Sequence, residues 1–198
     1  VCIDCNRGWM SQLEQLAKPH LINLILGKDI EITKEIQSIL CRWLVMTTIV
    51  AEYSDPRTAA TPKSQRHQFY LDQATPKGWS MWIGKYKGDQ WKQRYFHSGI
   101  AVSTLSELQY FGKLMQANVQ CSTFVIGNLA LLAISTTHPA INFESHKLGL
   151  NKKMFQLFPF TASFEWMDAE ILRDIEMNLV SLHFQTQLRQ SNALSSSY

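Results

Sequence analysis

Trp79-Ser80-Met81-Trp82-Ile83-Gly84-Lys85-Tyr86, then Lys87-Gly88-Asp89-Gln90, then Trp91-Lys92-Gln93-Arg94-Tyr95-Phe96-His97-Ser98, is where the sequence changes period. Two runs rich in aromatic and β-compatible residues flank a short Gly-Asp link, which predicts an antiparallel hairpin. Downstream, Val119–Ile126 and Leu129–Ser135 bracket Gly127-Asn128, a second hairpin signal, and Met154–Phe158 is an apolar strand ended by Pro159. Upstream, the apolar residues recur at helical spacing instead. Helices gathered first and hairpins after predict an α+β fold rather than alternating βαβ units. Neither G-x-G-x-x-G nor a Walker A sequence occurs, which argues against dinucleotide and P-loop chemistry.

The helical part reads in two stripes. Trp9, Leu13, Leu16, His20 and Leu24 form the first, with Met10, Ala17 and Leu21 beside it. Pro19 predicts a kink or two abutting helices, and Gly27 a stop. Asp29 is a cap for the second stripe, Ile36, Leu40, Trp43, Thr47 and Val50. Ile39, Met46 and Ile49 give that helix another apolar face and mark it as central and buried. Ser64 is a cap for a short helix through about Ala74, before the Pro76-Lys77-Gly78 turn. Residues 105–117 are loosely helical, and His138–Leu150 reads as a polar loop. Asp168–Leu188 predicts a closing amphipathic helix with Ile171, Leu172, Ile175, Leu179 and Leu182 inward, before a Ser-rich tail at 192–198. The expected division is a helical part at 1–56 and a β-rich part with its closing helix at 57–198, packed as one compact unit.

Composition agrees with a folding chain: 198 residues, 45% hydrophobic and 18% charged. Four scattered Cys do not make a disulfide scaffold. The most apolar runs, Ile39–Ala51 and Thr123–Ser135, fall short of the roughly 20 residues a membrane span needs. No basic-then-apolar leader opens the chain, so a cytoplasmic protein with reduced thiols and no membrane partner is expected. The net charge of +3 is uneven: between Arg57 and Ser98, eight basic residues face Asp72 and Asp89 alone. Lys77, Lys85, Lys87, Lys92 and Arg94 lie there, in a stretch interleaved with Tyr70, Trp79, Trp82, Tyr86, Trp91 and Tyr95. Positive charge beside aromatic rings suits nucleic acid. A solvated hairpin whose rings face the core is the alternative.

Cys2-Ile3-Asp4-Cys5 is a C-x-x-C, and three readings are open. A redox pair normally sits on a strand-to-helix turn of a βαβ unit, which this chain lacks. A zinc pair gives two of four tetrahedral ligands with a helix starting directly after. The third reading is no chemistry at all. Cys41 and Cys121 lie in apolar segments and read as small hydrophobes. Asn6 reads equally as an N-cap for a helix at Arg7–Lys18.

The run Cys2-x-x-Cys5-Asn6-x-Gly8-Trp9-Met10-Ser11-x-Leu13-Glu14 resembles the second zinc knuckle of bacterial HNH-endonuclease-like proteins. Weaker similarities follow at the Trp43 helix, Lys77-Gly78, Gly127 and Phe158-Pro159. The resemblance implies that Cys2 and Cys5 are structural zinc ligands in a treble-clef-like knuckle. It implies that Asn6 stands where the family places its last metal-binding His or Asn, with Mg²⁺ or Mn²⁺ as the catalytic ion. It also implies that the first Cys pair and the general-base His lie N-terminal to Val1, so the chain as it stands is expected to be inactive.

Elsewhere the chemistry is thin. The six His form no H-x-x-x-H or H-E-x-x-H. His138, Glu144 and His146 could improvise a metal site but read better as solvated loop residues. His20 fits a core boundary, and Glu165, Asp168, Glu170, Asp174 and Glu176 suit a helix start. No G-x-S-x-G occurs. Two functions are therefore expected: the C-terminal body of an HNH-type endonuclease-like protein acting on or binding nucleic acid, or a non-catalytic module for a nucleic-acid or protein partner, as in phage defence or counter-defence.

Overall fold

A computed structural model describes residues 2–102, 117–137 and 145–194. Of the sequence expectations, the pattern at 105–116, the His138–Glu144 part of the candidate metal trio and the tail beyond 194 lie outside the described residues. A single turn, α1 (Ile3–Cys5), runs through a wide turn at Asn6–Met10 into α2 (Ser11–Ile25). Then come β1 (Glu31–Ile32), α3 (Lys34–Ala51), short 3-10 turns at Glu52–Ser54 and Pro56–Thr58, and α4 (Lys63–Asp72). The strands β2 (Trp79–Tyr86), β3 (Arg94–Ile100), β4 (Val119–Ile126), β5 (Leu129–Thr136), β6 (Met154–Phe158), β7 (Phe164–Glu165) and β8 (Ile171–Leu172) precede α5 (Asp174–Leu194). The fold is α+β, helices first, then an antiparallel sheet, then a closing helix. No helix among the described residues is long and apolar enough to cross a membrane.

α2 passes through Pro19 as one helix rather than kinking into two. Proline removes the bond to the Gln15 carbonyl, and both residues lie on the exposed side, where water can take its place. The buried face is Leu13, Ala17, Leu21 and Leu24; Leu16, read as part of the stripe, is half exposed. α3 is capped by Thr33, whose Oγ1 accepts from Ile36 N at 3.3 Å, and not by Asp29. It buries Leu40, Cys41, Leu44, Val45 and Met46 and is the central helix the sequence implies. α4 begins at Lys63 after Pro62, so Ser64 lies inside it rather than capping it.

The main sheet has the order β3-β4-β5-β2-β6, with β8 parallel to the end of β2. The β4–β5 hairpin turns at Gly127-Asn128 as expected, and its tip docks on α2: Asn128 N and Nδ2 both donate to Ile25 O, at 3.0 and 3.1 Å. The expected hairpin of 79–86 with 91–98 does not form. β2 pairs instead with β5 (Ile83↔Leu131) and β6, while β3 pairs with β4 (Phe96↔Thr123). The reason is burial. β2 presents Trp79, Met81 and Ile83 to one core and Trp82 and Tyr86 to another, so it belongs inside the sheet. β3 carries exposed Arg94 and Tyr95 and suits an edge.

Two cores flank the sheet. One packs α2, α3 and Phe69 of α4 on Trp79, Met81, Ile83, Leu129 and Leu131. The other packs α5 through Met177 and Val180 on Trp82, Tyr86, Leu132, Ile134 and Leu172. The closing helix starts at Asp174 rather than Asp168, since Ile171 and Leu172 form β8, and its inward face is not the expected one: Ile175, Leu179 and Leu182 are 67, 41 and 58% exposed. Polar contacts set this rotation. Tyr86 Oη donates to Asp174, and Trp91 Nε1 donates to Asn178 Oδ1 at 3.0 Å, so positions 174, 177 and 178 face the sheet. The same contacts explain the link after β2. Lys87-Gly88-Asp89-Gln90 serves as a docking loop for α5, with Asp89 N and Gln90 N donating to the Asp174 carboxylate at 3.1 and 3.0 Å.

Candidate metal centre and nucleic-acid interface

Cys2 is extended (φ −75°, ψ 157°) and caps the first turn, its Sγ accepting from Cys5 N at 3.2 Å. Asn6 N donates to Cys2 O at 3.1 Å and Asn6 has helical angles, so Asn6 is inside the helical run and Cys2 holds the N-cap position the sequence assigned to Asn6. The Asn6 side chain is exposed. Gly8, with φ −93° and ψ −118°, breaks the run and sets the Cys2–Cys5 turn off from α2. Hydrogen bonds from the Cys5 thiol and backbone N–H to its sulfur pull the Cys2 thiol below its ordinary range. Donation to Cys2 pushes the Cys5 thiol up. The turn therefore favours a thiolate at Cys2.

Two adjacent soft donors at a helix start are the right chemistry for zinc and half the number. Among the described residues no group of three His, Cys, Asp or Glu could hold a metal ion. Cys41 and Cys121 are core thiols, as the sequence implies; burial pushes Cys121 up to about 12 and Cys41 up as well. Cys2 and Cys5 line an apolar groove of about 210 Å³ with Trp9, Met46, Val50 and Tyr70. Trp9 packs edge-on against Phe69 (5.7 Å) and Tyr70 (6.2 Å).

The five basic candidates are not one patch. Lys85 and Arg94 pair with Leu129 and Val125, so with Lys87 and Lys92 they lie at the sheet end that carries the Gly127-Asn128 turn. Lys77 lies at the other end, where Gly78 O accepts from Thr136 N, about 26 Å from Lys85 along the strand. Lys85 is drawn down to Asp29 (3.4 Å) and over the Trp166 ring (5.8 Å), and Lys92 bonds Asp89 at 2.9 Å. Lys87 and Arg94 are exposed with no ion pair among the described residues. Of the interleaved rings, Trp79, Trp82, Tyr86 and Trp91 are core residues, while Tyr70 and Tyr95 are exposed, at 50 and 39%.

The sequence reading missed a buried polar cluster between the 52–61 turns and the sheet edge. Glu52, wholly buried, accepts from Ala60 N (2.7 Å) and Thr61 N (3.0 Å). Gln120 Nε2 donates to Thr61 Oγ1 (2.8 Å) and Ser135 Oγ (2.9 Å). His97 bridges Ser122 Oγ (2.9 Å) and Thr58 O (3.1 Å). A carbonyl only accepts, so in the neutral ring Nε2 carries the proton and Nδ1 receives the Ser122 hydroxyl. Gln120–Thr61 and His97–Thr58 fasten the 52–61 segment to β4 and β3, while the Glu52 bonds close that segment on itself. The only sequence signal was an acid directly after a long apolar helix. No family model, curated protein or solved structure matches the chain.

Proposed function

We propose that this chain is the nucleic-acid-binding C-terminal body of an HNH-type endonuclease-like protein, with Cys2 and Cys5 as half of a structural zinc knuckle. The observation that carries this reading is the Cys5 N–H held on Cys2 Sγ at 3.2 Å. It favours a thiolate on an exposed turn, as a zinc ligand requires. The other two ligands come from outside the described residues. Asn6, exposed one residue after the pair, is the proposed ligand for Mg²⁺ or Mn²⁺, an ion that would stabilise the leaving oxygen of a cleaved phosphodiester. A binding module without catalysis, for a nucleic-acid or protein partner, is the second reading; it draws on the exposed Lys87 and Arg94 at the sheet end and needs no ion at Asn6.

The test is metal analysis and plasmid cleavage by the full-length gene product. The expected result is one zinc per chain, lost in Cys2→Ser and Cys5→Ser, and Mg²⁺- or Mn²⁺-dependent nicking lost in Asn6→Ala. Zinc and DNA binding without cleavage supports the second reading. Absence of zinc and of any nucleic-acid binding overturns the first reading and leaves only a protein partner for the second.

A further inference from the structure

We propose that the outward face of α4, together with Tyr53, is the seat of a single-stranded nucleic-acid segment. This rests on the nucleic-acid reading above but places the contact at Lys63, Arg66 and Tyr70, in the first part of the basic stretch, and not at Lys77, Lys85, Lys87, Lys92 and Arg94. Lys63, Arg66, His67 and Tyr70 recur at i, i+3, i+4 and i+7 and so share one face of α4. That face turns outward, because Phe69 is the helix residue that enters the core. Lys63 and His67 are exposed, and Tyr70 and Tyr53 are each 50% exposed. The Arg66 guanidinium lies 5.4 Å over the Tyr53 ring, and the His67 ring lies 6.4 Å from that of Tyr70. Arg66, half-exposed and also donating to Thr61 O, and His67 thus stand beside two half-exposed aromatic rings, a pairing of charge and ring that suits phosphates and unstacked bases together.

The concave surface around this face supports the same occupant. Tyr53, Lys63 and Arg66 line a cleft of about 710 Å³ with Thr61, Pro62 and Asn118. Arg66 also lines the groove that holds Cys2, Cys5 and Tyr70. Tyr53 and Val50 share a third hollow of about 440 Å³ with Ile49 and Ser54. The three hollows are joined through shared residues, so a strand lying along α4 runs from the cleft to the thiol pair and Asn6. Of the acidic groups nearby, Asp55 is half-exposed between Ser54 and Pro56 at the edge of these hollows and is the one that opposes a phosphate there. Glu52 is buried beneath its own backbone donors, and Asp72, at the far end of α4, accepts from Gln68 Nε2 (2.6 Å) and Ala74 N (2.9 Å). Asp4, exposed beside the thiols, is the one acid on the path's end. A closed duplex hides its base faces, so the aromatic part of this surface is useful only to a single strand.

The test is fluorescence anisotropy of the whole chain with labelled dT20, U20, a 20-base-pair duplex and linear polyphosphate of similar charge. Lys63→Ser, Arg66→Met, Tyr53→Leu and Tyr70→Leu are compared with Lys87→Ser plus Arg94→Ser. The dT20 and U20 arms separate DNA from RNA. Binding to a single strand is expected to weaken about 10-fold in each tyrosine variant, the worth of one stacked base. The salt slope is expected to fall by about 0.7 for each cation removed. The tyrosine variants should leave polyphosphate binding unchanged. Lys63 is fully at the surface, so Lys63→Ser tests charge without risk to the fold. Oligonucleotide binding that survives all four α4-face variants and is lost in Lys87→Ser plus Arg94→Ser overturns this proposal and leaves the nucleic-acid reading standing. No binding of any oligonucleotide at low salt overturns both. Equal competition by an oligoglutamate peptide overturns it in favour of an acidic protein partner.

Discussion

Tyr86, at the end of the central strand, donates its hydroxyl proton to the carboxylate of Asp174, the first residue of the closing helix. The same carboxylate accepts from Asp89 N and Gln90 N, and the Tyr86 oxygen accepts from Trp91 N at 3.0 Å. One ionised group thus holds the sheet, the loop that carries Lys87 and Lys92, and α5 in register. Gly88 is where the fit is closest: a Cβ there would lie 2.5 Å from Tyr86 Oη and 2.6 Å from Asp174 Oδ1.

This arrangement predicts an acid-labile contact. The hydrogen bond from Tyr86 is the largest of the effects that hold the Asp174 carboxyl below its ordinary value, and those from the loop amides add to it. A carboxyl depressed in the folded state contributes stability that is complete above its unfolded value of about 3.9 and is lost as pH falls through the folded one. Asp174→Asn should therefore melt below the parent at pH 7, with the gap closing as pH falls below the ordinary carboxylate range. A gap that persists unchanged into acid would assign the effect to amide geometry instead. Tyr86→Phe should lower the melting temperature at both pH values, because it also removes the acceptor for Trp91 N.

Gly99 predicts a steric limit on the β3 edge. A Cβ on Gly99 would stand 1.9 Å from the Thr58 carbonyl oxygen, the same atom that His97 Nε2 bonds. Backbone must move, not a flexible side chain. Gly99→Ala should cost about 1–3 kcal/mol, the range for overpacking. The check is urea unfolding, with a lower midpoint at an unchanged m-value.

These two sites also show what sequence could and could not reveal. The strand at 79–86 was legible with its bounds, and the one read at 91–98 forms at 94–100, because aromatic and β-branched residues mark a pleated, buried surface. Their pairing was not. Lys87-Gly88-Asp89-Gln90 looks like a hairpin link, yet its amides are committed to Asp174, 84 and 85 residues away for Gln90 and Asp89. Helix phase failed for a related reason. α5 has two apolar stripes, and hydropathy cannot choose between Ile175-Leu179-Leu182 and Met177-Val180. The choice is made by Asp174 and Asn178, polar residues that a hydrophobic pattern ignores. At the candidate site, the Cys2–Cys5 spacing was legible because it is local. The gathering of Tyr53 with the α4 face was not, since it depends on how α3 and α4 pack.

Gln37 predicts a polar dependence inside α3. It is wholly buried; its Nε2 donates to Ile32 O (3.4 Å) and Ala162 O (3.2 Å), and its Oε1 accepts from Thr161 N (3.2 Å). It thereby ties the 161–162 loop to the helix beside the β1–β7 pair, Ile32↔Phe164. Gln37→Leu keeps the bulk and strands these partners. Because Thr161 and Ala162 remain partly open to water, the expected loss is about 1–3 kcal/mol rather than the full sum of three bonds. The local signature is faster amide exchange at Thr161 with β4 and β5 unchanged.

The thiols should separate by reactivity. Only the thiolate attacks an alkylating agent, so rate follows both the acidity of each thiol and its access to solvent. Cys2 is exposed, and the donors of Cys5 stabilise its thiolate; Cys5 is half-buried and pushed the other way. Cys41 and Cys121 are enclosed in the two cores, where burial disfavours their charged form. Iodoacetamide followed by peptide mass mapping should therefore label Cys2 first, with a pH midpoint below the ordinary value of about 8.5. Cys5 should follow at higher pH, and Cys41 and Cys121 only in denaturant. In Cys5→Ala the side-chain donor is lost and the backbone N–H remains, so the Cys2 midpoint should rise only part of the way toward the ordinary value. Equal labelling of Cys2 and Cys5 at every pH would mean that the Cys5 N–H to Cys2 Sγ contact does not discriminate the two sulfurs in solution. Zinc added before the reagent should slow Cys2 and Cys5 together if both bind one ion, and slow neither if the pair has no affinity for the metal.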